Sequence, residues 1–367
     1  MRSFRARALA LIIAAGTLLA ATDPEPEDED DGSRIVGGRV APADSAPWQA
    51  EIFNTSAYTA SELQADQALP ASDPNKLFLV ERGRSDRNHR CGGAYIGNDW
   101  VVTAAHCLYR SANGRQVLDA GYLTRRQVRL GTQTISTGGQ VHAIRFGLVH
   151  GGYAGADSPE HDNDIALLKL VHAPASTSGR INLAAIDLPA ATYAPQPNAP
   201  LLVTGWGMTV AQESGLRGNL SVRPSANSAN FNPASNALKE LSLYAVSLAN
   251  CAQSYGMAPG KLAHSICALA RPDAQNRLQD QCSGDSGGPL TRSWRGPTGL
   301  QHQLVGLVSW SKGCAQRNGA GQQYPGVFVA VAPYAGWIAA TQRWADGQGS
   351  ALDGKMQRYS AEGGGNR

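Results

Sequence analysis

The sequence predicts an all-β protein, and two features of its 367 residues indicate this fold class. From Trp48 onward, short apolar runs alternate with turn-rich segments, and several of these runs show a two-residue period. The 41 glycines and 20 prolines supply many turns, which is typical of short strands joined by tight connections and is consistent with barrels or sandwiches. The predicted strands are Trp48–Phe53, Ala94–Ile96, Trp100–Thr103, Gln127–Leu130, Val141–Phe146, Ile165–Leu170, Leu201–Trp206, Gln303–Trp310 and Val327–Val331.

Helical periodicity is rare, and the better helix candidates are Ser247–Tyr255 and Tyr334–Trp344. Apolar residues make up 42% of the chain and charged residues 17%, which is enough for a sizeable core. The formal net charge of +3 is too small to indicate a nucleic-acid partner.

Residues 1–21 are typical of a signal peptide. Arg2, Arg5 and Arg7 precede an apolar run from Ala8 to Ala21, which is short for a bilayer span. A short membrane anchor is the alternative. No second apolar segment is long enough to cross a membrane, so we expect no membrane span in the mature chain. We expect the protein to be secreted, extracellular or periplasmic, where cysteines pair.

An acidic stretch, Asp23–Asp31, follows and contains too little apolar surface to fold. Arg34 then stands directly before the apolar tetrad Ile35–Gly38. We interpret residues 22–34 as a propeptide with Arg34 as its processing point. A linker that leads into the first strand is the alternative, and both descriptions can hold.

Two segments look inserted between strands, Asn54–Arg90 and Met208–Ser235. Long polar loops of this kind are either functional or disordered, and both options stay open here. The tail from Ala345 to Arg367 is mostly polar, and we expect it to be unstructured.

The most informative stretch is Asp280–Leu290, in which Ser286 stands among Gly284, Gly287 and Gly288. Glycine allows close backbone approach and unusual turns, and successive N–H groups in such a turn can bind an anion. A serine beside such N–H groups indicates acyl transfer, provided that a base activates its hydroxyl. A surface Gly/Ser loop is the simpler alternative, which six specified residues from Gly284 to Pro289 disfavour.

His106 and Asp164 are the candidates for the base and for the group that orients it. His106 follows the predicted strand Trp100–Thr103 and precedes Cys107, which would fix the backbone if it is disulfide-bonded. Asp164 lies directly before a nearly continuous apolar strand, where a carboxylate must be paired or hydrogen-bonded. The alternative for His106 is an ordinary surface or core histidine. The alternative for Asp164 is an aspartate that starts a turn, but Asp162 suits that role better than Asp164 does.

In these three motifs the chain resembles the chymotrypsin–trypsin family of serine endopeptidases. Thr103–Cys107, Asp162–Leu170 and Gly284–Pro289 match the family's histidine, aspartate and serine motifs in the family's order. The resemblance implies two six-stranded antiparallel barrels and a C-terminal helix. It implies that Ser286 attacks the scissile carbonyl, that His106 transfers the proton, and that Asp164 orients the imidazole, with the N–H groups of Gly284 and Ser286 as the oxyanion hole.

The resemblance also implies a substrate pocket for Lys or Arg. Asp280 would lie at its bottom, Ser309, Trp310 and Ser311 along one side, and Gly326 where a small residue keeps it open. Tyr255 would lie behind it. Ser311 departs from the usual glycine and could narrow the mouth. The residues Pro325 and Thr132, in place of a tyrosine and a glutamate, lead us to expect neither a sodium nor a calcium site.

Activation is implied at the Arg34–Ile35 bond. Asp285 would be buried, and a buried carboxylate needs a partner. Cleavage would create an ammonium at Ile35 that pairs with Asp285 and orders the oxyanion hole. The uncut chain would therefore be a zymogen, cut by a trypsin-like activator or by itself.

The same resemblance implies three disulfides, Cys91–Cys107, Cys251–Cys267 and Cys282–Cys314. These three are similar to the minimal set of disulfides in bacterial trypsin-like members of the family. Zinc binding is the competing use, but no CxxC or HxxxH pair supports it. We therefore expect no metal and no cofactor.

The sequence thus predicts a secreted, monomeric, trypsin-like serine endopeptidase that acts on polypeptides and meets an activating protease and protein inhibitors. The alternatives are an endopeptidase with altered pocket preference and a non-catalytic, protease-like binding protein. A lipid- or glycan-directed hydrolase would need a nucleophile on a strand-to-helix elbow, which the sequence does not indicate. The predicted segments are a signal peptide (1–21), a propeptide (22–34), an N-terminal barrel (35–173), a linker (174–195), a C-terminal barrel with its helix (196–344) and a disordered tail (345–367).

Overall fold

The strands of this computed structural model form two sheets, and each closes into a six-stranded antiparallel barrel with one further strand attached. The structure describes residues 35–55, 58–70, 79–80, 87–112, 115–118, 123–135, 137–153, 155, 161–172, 182–207, 237–282, 284–297, 299–347 and 356–360. The predicted signal peptide, the propeptide with Arg34 and the insertion Met208–Ser235 lie outside these residues.

The elements of the first half belong mainly to the N-terminal barrel. Its closed sheet has the order β8-β7-β2-β3-β4-β9, with β8 also pairing with β9. The elements are β1 (Arg39–Val40), β2 (Gln49–Asn54), α1 (Ala60–Ala68), β3 (His89–Gly97), β4 (Trp100–Thr103), the 3₁₀ turn Ala105–Leu108, the hairpin β5 (Tyr109–Ala112) and β6 (Arg115–Leu118), β7 (Arg126–Leu130), β8 (Gln140–His150) and β9 (Ala166–Leu170).

The second half forms the C-terminal barrel, with the order β11-β10-β13-β14-β15-β12 closed by β11 pairing with β12. The elements are β10 (Pro200–Gly205), β11 (Lys239–Val246), α2 (Leu248–Tyr255), the 3₁₀ turn Pro259–Leu262, β12 (Ser265–Leu269), β13 (Pro289–Gly296), β14 (Gly299–Trp310), β15 (Gly326–Ala330), the 3₁₀ turn Ala332–Tyr334, α3 (Ala335–Ala345) and β16 (Met356–Ser360).

Each barrel has its own apolar interior, and a further core lies between the two barrels. Alternate residues of each strand point inward, which is why β7 shows a strict alternation of buried and half-buried positions. The shared core explains how α3 is held, because Ile338 packs there with side chains from both barrels. Representative members are Trp48, Trp100, Leu148, Leu304, Val329 and Ile338.

Two predicted boundaries need correction. Arg39–Val40, assigned to the N-terminal barrel, pairs with β11 of the C-terminal barrel instead. The tail was predicted to be unstructured, but Met356–Ser360 forms a strand against residues 146–150 of β8. This part of β8 has a free edge, since β7 pairs only with residues 140–143. Backbone groups on a free edge can bind a strand whatever its side-chain pattern.

The insertion Asn54–Arg90 contains a helix, α1, that starts with a capping box. Thr59 accepts a hydrogen bond from the N–H of Glu62, and Glu62 accepts one from the N–H of Thr59. Asp66 on the same helix accepts a hydrogen bond from the N–H of Leu79 at 2.7 Å. This bond joins the helix to a later part of the same insertion. Among the described residues, no helix is long and apolar enough to cross a membrane.

Candidate active site

His106 and Asp164 lie close together because the end of β4 is next to the start of β9. β4 runs antiparallel to β9, with Thr103 opposite Ala166, so the residues that follow and precede these strands are neighbours. His106 Nδ1 lies 2.8 Å from Asp164 Oδ2, and the His106 N–H donates to Asp164 Oδ1 at 2.8 Å. Both carboxylate oxygens are thereby directed at one histidine, which fixes the orientation of its ring.

Asp164 is fully buried, and its carboxylate is stabilised by a third donor, the hydroxyl of Ser309. Burial alone would raise the pKa of Asp164, but the His106 charge and the hydrogen bonds from His106 and Ser309 hold it below its ordinary value. Burial alone would lower the pKa of His106, but the charge of Asp164 and its hydrogen bond outweigh this and raise it. The pair therefore favours an imidazolium next to a carboxylate, the state that a proton-accepting histidine reaches during catalysis.

Ser286 is brought to this pair by a close contact between the two barrels. The N–H of Gly92 on β3 donates to Ser286 O at 2.8 Å. The contact requires glycine, because a Cβ on Gly92 would lie 2.8 Å from Gly288 Cα and one on Gly287 would lie 2.1 Å from Thr103 Oγ1.

A sulfur atom of the disulfide marks how near His106 and Ser286 lie to each other. Cys107 Sγ is 3.9 Å from His106 Nε2 and 3.6 Å from Ser286 O. The two candidate residues thus approach the same sulfur atom from different barrels.

The backbone of the serine loop has two N–H groups available to a ligand. The N–H groups of Asp285, Gly287 and Gly288 donate to Cys282, Val308 and Asp285, respectively. Within the described part of the chain, those of Gly284 and Ser286 donate to no protein acceptor. Backbone N–H groups without a protein acceptor are rare in folded proteins, so this pair is a candidate ligand site.

Asp285 is fully buried and is linked to Ile35 through the backbone of Gly207. Asp285 Oδ1 accepts from the N–H of Gly207 at 2.7 Å, and Oδ2 accepts from the N–H of Cys282 at 2.8 Å. The Ile35 N–H donates to Gly207 O at 3.0 Å, so Ile35 and Asp285 bind opposite sides of the same residue. A Cβ on Gly205 or Gly207 would lie 2.1 Å or 2.3 Å from the Asp285 side chain, which explains both glycines.

Asp280 is buried at a short bridge with Val36 and accepts from the N–H of Ala315 at 3.0 Å. Burial is the main cause that raises its pKa to about 8. The hydrogen bonds from Ala315 and Gln281 oppose this, and the charge of Asp285 adds to it.

The other predicted pocket residues lie on β14, on β15, in the loop after β14 and at the end of α2. Trp310 on β14 pairs with Val327, next to Gly326 on β15. The Ser311 hydroxyl donates to Gly313 O at 2.7 Å, so it is bound within its own loop. Tyr255 packs on Trp310 with ring centroids 4.7 Å apart, and its hydroxyl donates to Pro325 O.

Two residues near the site escape prediction from sequence. Gln281 is 2% exposed and lies against Gly326, where a Cβ would be 1.8 Å from Gln281 Nε2. Its position next to Asp280 was the signal that could have identified it. His89 is buried, and its Nε2 lies 2.9 Å from Gly284 O, 195 residues away in sequence. No local pattern indicates such a contact.

The structure contains three disulfides, Cys91–Cys107, Cys251–Cys267 and Cys282–Cys314, the pairs that the family resemblance implies. The first joins β3 to the turn that carries His106. The third ties the serine loop to the loop after β14. The second lies in a small core of α2 and β12 with Val327. The first and third disulfides thus restrain the segments that carry His106 and Ser286.

Comparisons with known proteins show which family this chain resembles. A family model described as Trypsin matches residues 35–338. Trypsin alpha of Drosophila melanogaster is 31% identical over 332 residues, which cover 90% of this chain and 96% of that protein. Trypsin of Sus scrofa is 29% identical over 320 residues, which cover 86% of this chain and 98% of that protein.

Proposed function

Because this chain belongs to the trypsin family of serine endopeptidases, we propose that it cleaves polypeptides after Lys or Arg through Ser286, His106 and Asp164. In this mechanism Ser286 attacks the carbonyl while His106 Nε2 takes its proton, and the N–H groups of Gly284 and Ser286 bind the oxyanion. His106 then protonates the leaving amine. A water molecule, activated by the same histidine, hydrolyses the acyl-enzyme.

The observation that carries this proposal is the buried Asp164–His106 pair beside Ser286. The pair shares two contacts of 2.8 Å, which hold the imidazole in one orientation and support its role as the base. A non-catalytic binding protein would have no need of two unused N–H groups at that loop, and each such donor is worth roughly a hundredfold or more in rate.

The buried carboxyl of Asp280 supports the proposed preference for substrates with a cationic side chain before the cleaved bond. A Lys or Arg side chain of a substrate would supply the partner that a buried carboxylate needs. We propose that the protein is a secreted, monomeric zymogen that an activating protease cuts after Arg34. The sequence of the first 34 residues supports this, as does the burial of Ile35 and Asp285, which both bind Gly207.

The test is cleavage of a peptide library by the processed protein, with Ser286→Ala as the comparison. We expect cleavage after Lys and Arg and a loss of about a millionfold in kcat for the variant. The thermal unfolding midpoint of Ser286→Ala should match that of the wild type. Amide hydrolysis that survives in Ser286→Ala would exclude the proposed nucleophile, and a substrate profile without Lys or Arg would exclude the role of Asp280.

A further inference from the structure

The hairpin of β13 and β14 extends beyond the C-terminal barrel as a two-stranded ribbon. β10 pairs with β13 only at Leu290 and Thr291, and β15 pairs with β14 only from Gly306 onward. In the described part of the chain, the β13 residues Arg292–Gly296 pair only with the β14 residues Gly299–Gln303. This part of the hairpin therefore projects from the barrel.

The base of the ribbon is held on both of its faces. On one face, the Arg292 guanidinium lies 4.3 Å from the centroid of the Tyr193 ring, and its Nε donates to Gln303 Oε1 at 2.8 Å. On the other face, His302 packs on the buried ring of Trp48, with ring centroids 4.9 Å apart. Because a two-stranded ribbon is only marginally stable by itself, these contacts fix the direction in which it projects.

The tip of the ribbon, residues 294–296 and 299–300, carries an exposed apolar side chain on each face. Trp294 shares a face with Arg292, because alternate residues of a strand point the same way, and the Arg292 guanidinium lies 5.0 Å from the Trp294 ring centroid. Leu300 pairs with Arg295 and lies on the other face. Trp294 is 41% exposed and Leu300 is 61% exposed, so solvent contacts apolar surface on both sides of the tip.

The charged side chains of the ribbon have one sign. The segment 289–304 contains Arg292 and Arg295 and no aspartate or glutamate. The register places these two arginines on opposite faces, as it does Trp294 and Leu300. Each face therefore combines a cation with an apolar side chain, which is complementary to a surface that is both anionic and apolar.

An anionic lipid bilayer is such a surface, and it surrounds an inserted tip on all sides. Tryptophan is favourable at the headgroup level, and arginine is favourable next to anionic headgroups. The two residues from Trp294 to the end of β13 span about 7 Å, which matches the depth of about 5–10 Å at which interfacial segments lie. A hairpin that lay flat on another protein would need apolar residues on one face only.

We propose that the tip of this ribbon is an interfacial anchor that docks the protein onto membranes containing anionic phospholipid. Trp294 and Leu300 enter the interface, and Arg295 binds the headgroups. Trp294 lies five residues along β13 from Pro289, about 17 Å, so docking at the tip is remote from the serine loop. The proposal goes beyond the proposed function, because it assigns a place of action rather than a substrate.

The test is binding of the purified protein to sedimenting vesicles, either of phosphatidylcholine alone or of an equimolar mixture with phosphatidylglycerol. The variants are the double substitution Trp294→Ser/Leu300→Ser and the single substitution Arg295→Gln. Val171→Ser and Arg145→Gln are the matched controls, since Val171 is 46% exposed and Arg145 is exposed, and both lie outside the ribbon. All these side chains are exposed, so the variants should keep the thermal midpoint of the wild type.

We expect the wild type to bind the mixed vesicles at least about tenfold more tightly than phosphatidylcholine alone. Trp294→Ser/Leu300→Ser should weaken binding to the mixed vesicles at least about tenfold, because two apolar side chains no longer enter the interface. Arg295→Gln should weaken it about fivefold, and on the mixed vesicles only. The two matched controls should bind like the wild type.

A second measurement locates the tip in the bilayer. Lipids with brominated acyl chains should quench part of the tryptophan fluorescence of the bound wild type. Trp294→Phe should still bind the mixed vesicles, because a phenyl ring is also apolar, but it should lose this quenching. Quenching that persists in Trp294→Phe would place another tryptophan at the bilayer and would contradict the assignment.

Two further results would overturn the inference. One is a wild type that stays in solution with both kinds of vesicle, and the other is a Trp294→Ser/Leu300→Ser protein that binds mixed vesicles within about twofold of the wild type. Ser286→Ala should bind vesicles like the wild type, since the anchor takes no part in peptide hydrolysis. A failure of the proposed function would therefore leave the vesicle result unchanged, and the two failures are distinguishable.

Discussion

Asp280 illustrates how the surroundings of one residue set the conditions under which it can bind a cation. Burial raises the pKa of this carboxyl to about 8, while Asp285 and Tyr255 are the ionisable groups that interact with it. A carboxyl with a raised pKa is neutral below that value and charged above it. In the free enzyme Asp280 therefore becomes a good partner for a cation only as the pH approaches and passes about 8.

This leads to a prediction about inhibitor binding. The affinity for butylamine, which stays protonated over the range, should rise from pH 6 to about 8 and level off above it. Binding should be accompanied by proton release below pH 8, which titration calorimetry in buffers of different ionisation enthalpy can measure. Asp280→Asn should bind weakly with no such pH dependence, and an unchanged slope in that variant would contradict the assignment.

At this scale the sequence indicates the candidate reacting groups, but it does not indicate the side chains that contact them. His106, Asp164 and Ser286 stand in short motifs whose residue types match one chemistry. The Ser309 hydroxyl on Asp164 and the Gln281 amide against Gly326 depend on side-chain conformations across strands. Those contacts span 145 and 45 residues of sequence, respectively, and no local pattern encodes them.

At the scale of elements, a buried polar network connects three strands of the N-terminal barrel to the serine loop. Glu51 on β2 is fully buried and lies opposite Arg129 on β7, whose Nε is 3.1 Å from Glu51 Oε2. His89 on β3 has its Nδ1 3.7 Å from Glu51 Oε1 and its Nε2 2.9 Å from Gly284 O. Because a carbonyl oxygen can only accept a hydrogen bond, His89 Nε2 is the donor. The network thereby restrains the carbonyl group of Gly284.

We expect His89 to act as a positioning residue for the oxyanion hole. His89→Ala should lower kcat tenfold to a hundredfold, since small displacements of catalytic groups have effects of this size, and should leave KM within about twofold. A role in folding alone would lower the thermal midpoint without this split between kcat and KM. His172→Ala is the matched control, because the His172 side chain is 81% exposed. An unchanged kcat per active site in His89→Ala would refute the role.

A strand could be predicted from the sequence where its buried residues are apolar, and not where they are charged. Trp100–Thr103 was predicted with its observed bounds, because every residue of β4 is buried and apolar or β-branched. β11 was missed, since it begins with Lys239 and Glu240, two charged residues that the fold nevertheless buries. β16 was missed because its partner, the open edge of β8, lies more than 200 residues away in sequence.

At the scale of the whole molecule, the segment that begins at Ile35 and the serine loop meet in the C-terminal barrel. Ile35 is fully buried in the core of that barrel, and Val36 forms a bridge with Asp280. A free ammonium at Ile35 would have three donors where the peptide N–H now has one, directly beside the residue that Asp285 binds. Cleavage would add a charge partner to a buried carboxylate that borders the oxyanion hole, which stabilises the active arrangement.

The corresponding prediction concerns Arg34, which the sequence places at the processing point. Arg34→Gln should remain uncut and keep less than about a hundredth of the processed activity, because one misplaced oxyanion donor alone costs a hundredfold or more. Arg39→Gln is the matched control, since Arg39 is an exposed arginine five residues further on. N-terminal sequencing and a chromogenic assay over time measure both effects, and full activity of an uncut Arg34→Gln chain would show that no ammonium at Ile35 is needed.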